Sequence, residues 1–258
     1  MAIIRTLNGD ISAKQLGVTY SHDHIYCIPP YWAERQDDDL LLDDPQASER
    51  ELSDFRQAGG NAIYDATAPD YGRQAAAVAA MAQRQQLHII ATAGFNKGFL
   101  WSSQRPGTAQ TFAEWIERSD VDELVEHVCR EVTEGIEGTA HRAGVVKCGT
   151  GYNAISPLEY KTMEVIVRAQ QRTGAPMHSH TEMGTMGLEQ ARIFKKWICP
   201  AYVLPIWIAI LTPGCTVRSP TPGRFSHLTV SAALNITLST FAPRPSWRSA
   251  SAVIKSRF

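Results

Sequence analysis

Short apolar runs recur along the chain at Val18 to Ile25, Ala62 to Ala66, His88 to Ala93, Gly144 to Cys148 and Ala175 to Thr181, with segments of helical period between them. A strand covered on both faces reads as a continuous apolar run, and parallel strands need a long crossover. The alternation therefore predicts consecutive βα units of an α/β protein. The clearest crossover begins at Ser156-Pro157-Leu158-Glu159, where serine can cap, proline fits the first turn and glutamate three residues on completes a capping box. Its pattern ends near Gly174. Another helix, from Asp120 to Gly138, carries Leu124, Val125, Val128, Cys129, Val132 and Ile136 on one face, which is a packing stripe. Each strand-like run ends in polar residues, so the chemistry is expected at the C-terminal ends of the strands.

Composition narrows the class. A chain of 258 residues with 44% hydrophobic content can bury one substantial core, and a single α/β barrel takes about 250 residues. The net charge of −1 gives no general attraction to nucleic acid or to an anionic membrane, and neither is expected as a partner. The opening Met1 to Thr6 leads into polar sequence without the apolar core of a signal peptide. Five cysteines, an odd number without a CxxC pair, fit a reducing compartment, and the expected location is the cytoplasm.

The candidate chemistry sits at three strand ends. His22 and His24 flank Asp23, and residues i and i+2 of a strand share a face, so two imidazoles converge, an arrangement that suits zinc and its transition-series neighbours. Asp23 then points away. Lys147 stands inside an otherwise buried run, Gly144-Val145-Val146-Lys147-Cys148. Its side chain either snorkels out of the sheet end or, once desolvated, loses its proton and reacts with carbon dioxide to give an anionic carbamate. Cys148 faces the other side and packs. His178 and His180 form a further His-x-His pair before Thr181.

Ser21-His22-Asp23-His24, the Gly-Val-Val-Lys147 run, and Pro176 to Thr181 followed by Met186-Gly187-Leu188-Glu189-Gln190 together resemble the phosphotriesterase family of the amidohydrolase superfamily, over residues 1 to 197. The resemblance implies an α/β (β/α)8 TIM barrel of the metal-dependent hydrolase type. It implies two divalent ions, zinc or another transition metal, with His22 and His24 on the more buried one, a bridging carbamylated Lys147, and His180 on the second. Where family members usually have glutamate this chain has Asp23, and where they have a small polar residue it has His178. His178 either supports the metal ligands or is simply a neighbour of His180, and the neighbour reading is preferred. Substrates implied are small-molecule esters, lactones or organophosphate triesters, and a homodimer is compatible with the resemblance. Two loops shape the expected pocket, Tyr26 to Asp44 and Phe95 to Trp101. The aromatics of the second either wall an apolar substrate group or pack the loop down.

After Trp197 the pattern stops. The first 197 residues carry 19 basic and 26 acidic residues, a charge of −7, whereas residues 198 to 258 carry six basic residues, no acid and seven prolines. The apolar stretch Ala201 to Leu211 is too short to span a membrane and Pro205 interrupts it. Back-translating Pro205 to Cys215 with each codon begun on the old third base permits His-Met-Asp-Arg-Asn-Pro-Asp-Pro-Trp-Leu, in which the first Asp is forced by Trp207-Ile208. His-x-Asp is what the family carries after its fifth βα unit. His227 to Val230 likewise permits Ser-Phe-Asp-Gly. Two domains are expected on this basis: a barrel portion over 1–197, and an acid-free tail over 198–258 from a frameshift near Trp197 to Pro200. The barrel is then incomplete after its fifth βα unit, with strand five left unpaired at its edge.

In the family a metal-activated water attacks the carbonyl or phosphorus centre, and an aspartate of the last strand takes its proton. No catalytic residue of that kind is identifiable in frame here, and His227 lies in unrelated sequence. The expected function is accordingly a metal-dependent hydrolase. The alternatives are an impaired metal-binding remnant and an amidohydrolase acting on cyclic amides.

Overall fold

The computed structural model of the chain describes residues 3–32, 41–197, 205–211 and 231–237, the last two as backbone strands. Ile3–Thr6 (β1) and Gly9–Ser12 (β2) pair antiparallel. The expected parallel strands follow as Thr19–Asp23 (β3), Ala62–Asp65 (β4), His88–Ile90 (β5), Thr92–Gly94 (β6), Val145–Thr150 (β7) and Met177–Thr181 (β8). Hydrogen bonds run β3-β4-β5 and β6-β7-β8, all parallel. β5 and β6 are the two halves of the run read as His88 to Ala93. Ala91 between them turns its carbonyl to the Gly144 and Val145 N–H groups (2.9 and 3.2 Å), so one segment passes from β4 to β7.

Helices fill the crossovers: Pro45–Gln57 (α1), Ala75–Gln85 (α2), Phe112–Arg118 (α3), Val121–Thr133 (α4), Pro157–Thr173 (α5) and Gly187–Trp197 (α6). α5 has the ends its sequence predicts. The Ser156 hydroxyl accepts from Glu159 N, the Glu159 carboxylate accepts from Ser156 N, and Gly174 closes the helix in the left-handed region at φ 72°. α4 is shorter than Asp120 to Gly138 suggests. A Cβ at Gly135 would lie 1.7 Å from the Thr139 carbonyl, so the backbone turns there and Ile136 reaches the core from a separate 3-10 turn. Inside, Arg73 makes a two-pronged ion pair with Glu131 of α4 (2.6 and 2.9 Å) and donates to the Thr92 carbonyl of β6 (2.6 Å), all buried.

Beyond α6 the structure corrects one expectation. The edge of β8 is paired: Pro205–Leu211 (β9) lies parallel to it, and Ser231–Thr237 (β10) lies antiparallel to β9. A strand pairs through its backbone, and the apolar Pro205 to Leu211 run can extend a parallel sheet whatever its reading frame. The antiparallel return is not a βα unit, and among the described residues no sixth helix-bearing unit follows the fifth. Among the described residues β3 pairs only with β4, no helix is long and apolar enough to cross a membrane, and Cys129 and Cys148 are free buried thiols. Residues 33–40 of the expected pocket loop lie outside the described residues.

Candidate functional site

Lys147 is 1% exposed, in the middle of β7. Its ammonium donates to the Ala66 carbonyl (2.7 Å), so it does not snorkel. Burial pulls its pKa down to about 8 against the opposing pull of Asp70 and Asp65. Register then sets its neighbours: β8 places His178 beside Lys147 and His180 beside Gly149. A Cβ on Gly149 would sit 2.8 Å from that of His180, so glycine makes room for the imidazole. His22 lies in β3 and His24 one residue past its end. Their rings are 5.5 Å apart, and His22 is 5.3 Å from His178. Burial foremost, and also the nearby Lys147 charge, lower the pKa of His22, to about 3, and of His24, His178 and His180. All four imidazoles therefore gather around Lys147 as neutral rings.

Second partners orient the rings. Thr67 donates its hydroxyl to Asp65 (2.5 Å) and receives His24 Nδ1 at 2.8 Å, so the His24 proton sits on Nδ1 and Nε2 is left with a lone pair. Burial raises the Asp65 pKa to about 6, with the Thr67 bonds opposing it. Tyr64 meets His178 Nδ1 at 2.7 Å. His178 is 2% exposed and in ring contact with His22 and Tyr64. His180 Nε2 contacts the Glu182 carboxylate at 2.8 Å, and Lys97 also bonds that carboxylate. The His180 bond, then Lys97, hold the Glu182 pKa near 2 against burial. Asp23 accepts from the His24 backbone N–H (2.8 Å).

The donor set suits a cation. His22 Nδ1 and His178 Nε2 are buried polar atoms without a partner, a costly state that a bound group would relieve. Among the described residues, no group of three or more His, Cys, Asp or Glu side chains already stands at the spacing of a closed metal site. Tyr64, Thr67, Lys97 and Glu182 are additions to the residues read from sequence. The only sequence signal for any of them was Tyr64-Asp65 interrupting an apolar run. In the Phe95 to Trp101 loop the packing reading holds for Phe95 and Trp101, which are 1% exposed, with Trp101 Nε1 donating to Asp70 (2.6 Å). Phe99 is 61% exposed.

Residues 2–197 match the Phosphotriesterase family. A lactonase from Listeria monocytogenes is similar in structure, with a TM-score of 0.74 and 51% identity over 77% of this chain and 63% of that one. The Escherichia coli phosphotriesterase homology protein, solved with phosphate in its active site, gives a TM-score of 0.64 and 25% identity over 72% of this chain and 60% of that one. A phospho-furanose lactonase from Mycoplasmopsis agalactiae is 30% identical over 202 residues, 73% of this chain and 54% of that relative. The chain thus spans a little over half the length of the curated relatives it matches.

Proposed function

The chain belongs to the phosphotriesterase family, and from that premise we propose a metal-dependent hydrolase fold that opens a lactone, ester or organophosphate triester. The observation that carries it is the burial of Lys147 among four neutral imidazoles, two of which have an unpartnered nitrogen. His22, His24, Lys147 and His180 would together hold two divalent ions of the zinc class. The Lys147 amine, easily deprotonated at its buried position, would form an N–C bond to carbon dioxide and release one proton, giving an anion with two oxygens to offer the ions. When bound, the ions supply a Lewis acid for the substrate oxygen and make water at the site more acidic. Thr67 keeps His24 Nε2 unprotonated through the Asp65 bond, while Tyr64 fixes the ring of His178 in edge contact with His22. The cytoplasm is the proposed compartment, supported by the free buried thiols of Cys129 and Cys148.

Metal analysis of the purified chain tests the site. Zinc or a similar ion is expected at less than full double occupancy, and a content no higher than in a His22→Ala/His24→Ala control would overturn it.

A second reading, a metal-binding remnant with little turnover, is favoured by one observation: the family match stops at Trp197. The aspartate that takes the water proton in the family has no in-frame counterpart. On this reading 198–258 is a frame-shifted tail, separate from the barrel portion 1–197. DNA sequencing across codons 195 to 200 tests the shift, and turnover of lactones by the purified chain separates enzyme from remnant.

A further inference from the structure

Glu182 follows β8 directly, on the 3-10 turn Glu182–Gly184. The turn is held in an unusual shape: Met183 sits at φ 50°, in the left-handed region that non-glycine residues seldom occupy. Thr185 donates both its N–H (2.9 Å) and its hydroxyl (2.8 Å) to the Glu182 carbonyl, and the Thr185 hydroxyl in turn accepts from Asn153 N (2.9 Å). From the other side the Phe95 to Trp101 loop brings Lys97 onto the same carboxylate, and Gly98 N anchors that loop to Glu159 (2.9 Å). The Lys97 and Glu182 side chains are 16% and 28% exposed, so this pair is more sheltered than a surface ion pair, whose typical contribution is small.

We propose that Glu182, clamped by Lys97, is a positioning residue that fixes the ring and tautomer of His180 so that its Nδ1 faces the second cation. This rests on the reading of His180 as a ligand. A neutral imidazole has one protonated nitrogen and one lone pair. An ionised carboxylate only accepts, so the 2.8 Å contact requires the proton on Nε2 and leaves Nδ1 free. Metal-binding histidines commonly give their other N–H to a carboxylate, which sets the ring orientation and raises the basicity of the ligating nitrogen. Glu182 itself never touches the reacting atoms in this arrangement.

The test uses the full chain, first metal-free and then titrated with cobalt(II). Long-range proton–nitrogen NMR on histidine-labelled protein should give one His180 tautomer, protonated at Nε2. Glu182→Ala should lose that single tautomer and weaken cobalt(II) uptake at the second site by about 10- to 100-fold, with uptake at His22 and His24 unchanged. Glu182→Gln keeps an acceptor oxygen and should restore the tautomer. Lys97→Met, which leaves Glu182 in place, should give a smaller loss and serves if Glu182→Ala fails to fold. His180→Ala should match or exceed the Glu182→Ala loss. If His180→Ala weakens cobalt(II) uptake while Glu182→Ala and Lys97→Met keep both tautomer and affinity, the inference is overturned. Unchanged uptake in His180→Ala would overturn the ligand reading beneath it.

Discussion

Lys147 concentrates the residue-scale argument, because a fully buried ammonium has to be explained by what surrounds it. Replacing it with methionine keeps much of the volume and removes the amine. Retained metal should fall, measured by elemental analysis, and added bicarbonate should raise loading only where Lys147 is present. Equal retention in both proteins would return Lys147 to a plain buried cation hydrogen-bonded to Ala66. The imidazoles give a pH prediction for the metal-free chain. His22 falls from 6.5 to about 3, and His24, His178 and His180 are also lowered. The unfolded chain therefore binds more protons between those values, and stability is lost as pH falls below 6.5. Asp65 and Asp70 act the other way, since their pKa is raised from 3.8 to about 6 and they gain stability as pH falls through that range. With His127 also lowered and Asp23 also raised, five histidines oppose three carboxylates, so the melting temperature should drop from pH 6.5 to 4, and His178→Asn should shallow that drop. A flat profile in the metal-free protein would contradict the buried neutral cluster. The histidines and Lys147 were legible in sequence because polar residues closing apolar runs stand out locally. Tyr64, Thr67 and Glu182 were not, because their roles come from contacts such as Tyr64 with His178, 114 residues apart.

Elements were legible where their ends carry local chemistry. The Ser156 cap, the Glu159 return bond and Gly174 set the limits of α5 without any tertiary partner. Ser156→Ala should cost about 0.5–2 kcal/mol, read as a lower urea midpoint with unchanged slope. Glu159 also holds Gly98 through its second oxygen, so Glu159→Ala should cost more and loosen the loop that carries Lys97. The end of α4 was misjudged because the periodic stripe through Ile136 continues in space although the backbone leaves the helix at Gly135. The single run His88 to Ala93 hid a break, since nothing in its composition reveals that Ala91 turns its carbonyl to Gly144 and Val145. Arg73 joins α4 to β6 through Glu131 and Thr92, and no local pattern announces it. Glu131→Gln leaves that arginine buried without its full countercharge. A loss of about 3–5 kcal/mol is expected, and a change within 0.5 kcal/mol in denaturant titration would mean that water reaches the pair.

At the scale of the molecule the sheet is one-sided. β3 to β8 run parallel in chain order and β9 extends them, but β10 returns antiparallel, and among the described residues nothing pairs the outer edge of β3. Val18 and Tyr20 beside that edge are 63% and 38% exposed. His22 and His178 line a cavity of about 520 Å³ together with Ile3, Ile4, Leu16, Ile90 and Pro176. An unpaired edge beside an apolar hollow invites association and dye binding. The sequence implies an end of the βα pattern from the loss of acids after Trp197, and among the described residues no helix follows β9. It did not foresee β9, because backbone pairing asks only for an extended apolar segment. Reading the tail in the shifted frame should supply further βα units, with the His-x-Asp permitted by Pro205 to Cys215 and an aspartate near His227. The restored protein is expected to be monodisperse in light scattering, to bind less hydrophobic dye and to hydrolyse lactones or esters measurably. The 258-residue chain should do none of these as well. If it already melts cooperatively and turns over such substrates as fast as the restored protein, then residues 198–258 are a working part of the fold and the frameshift proposal is wrong.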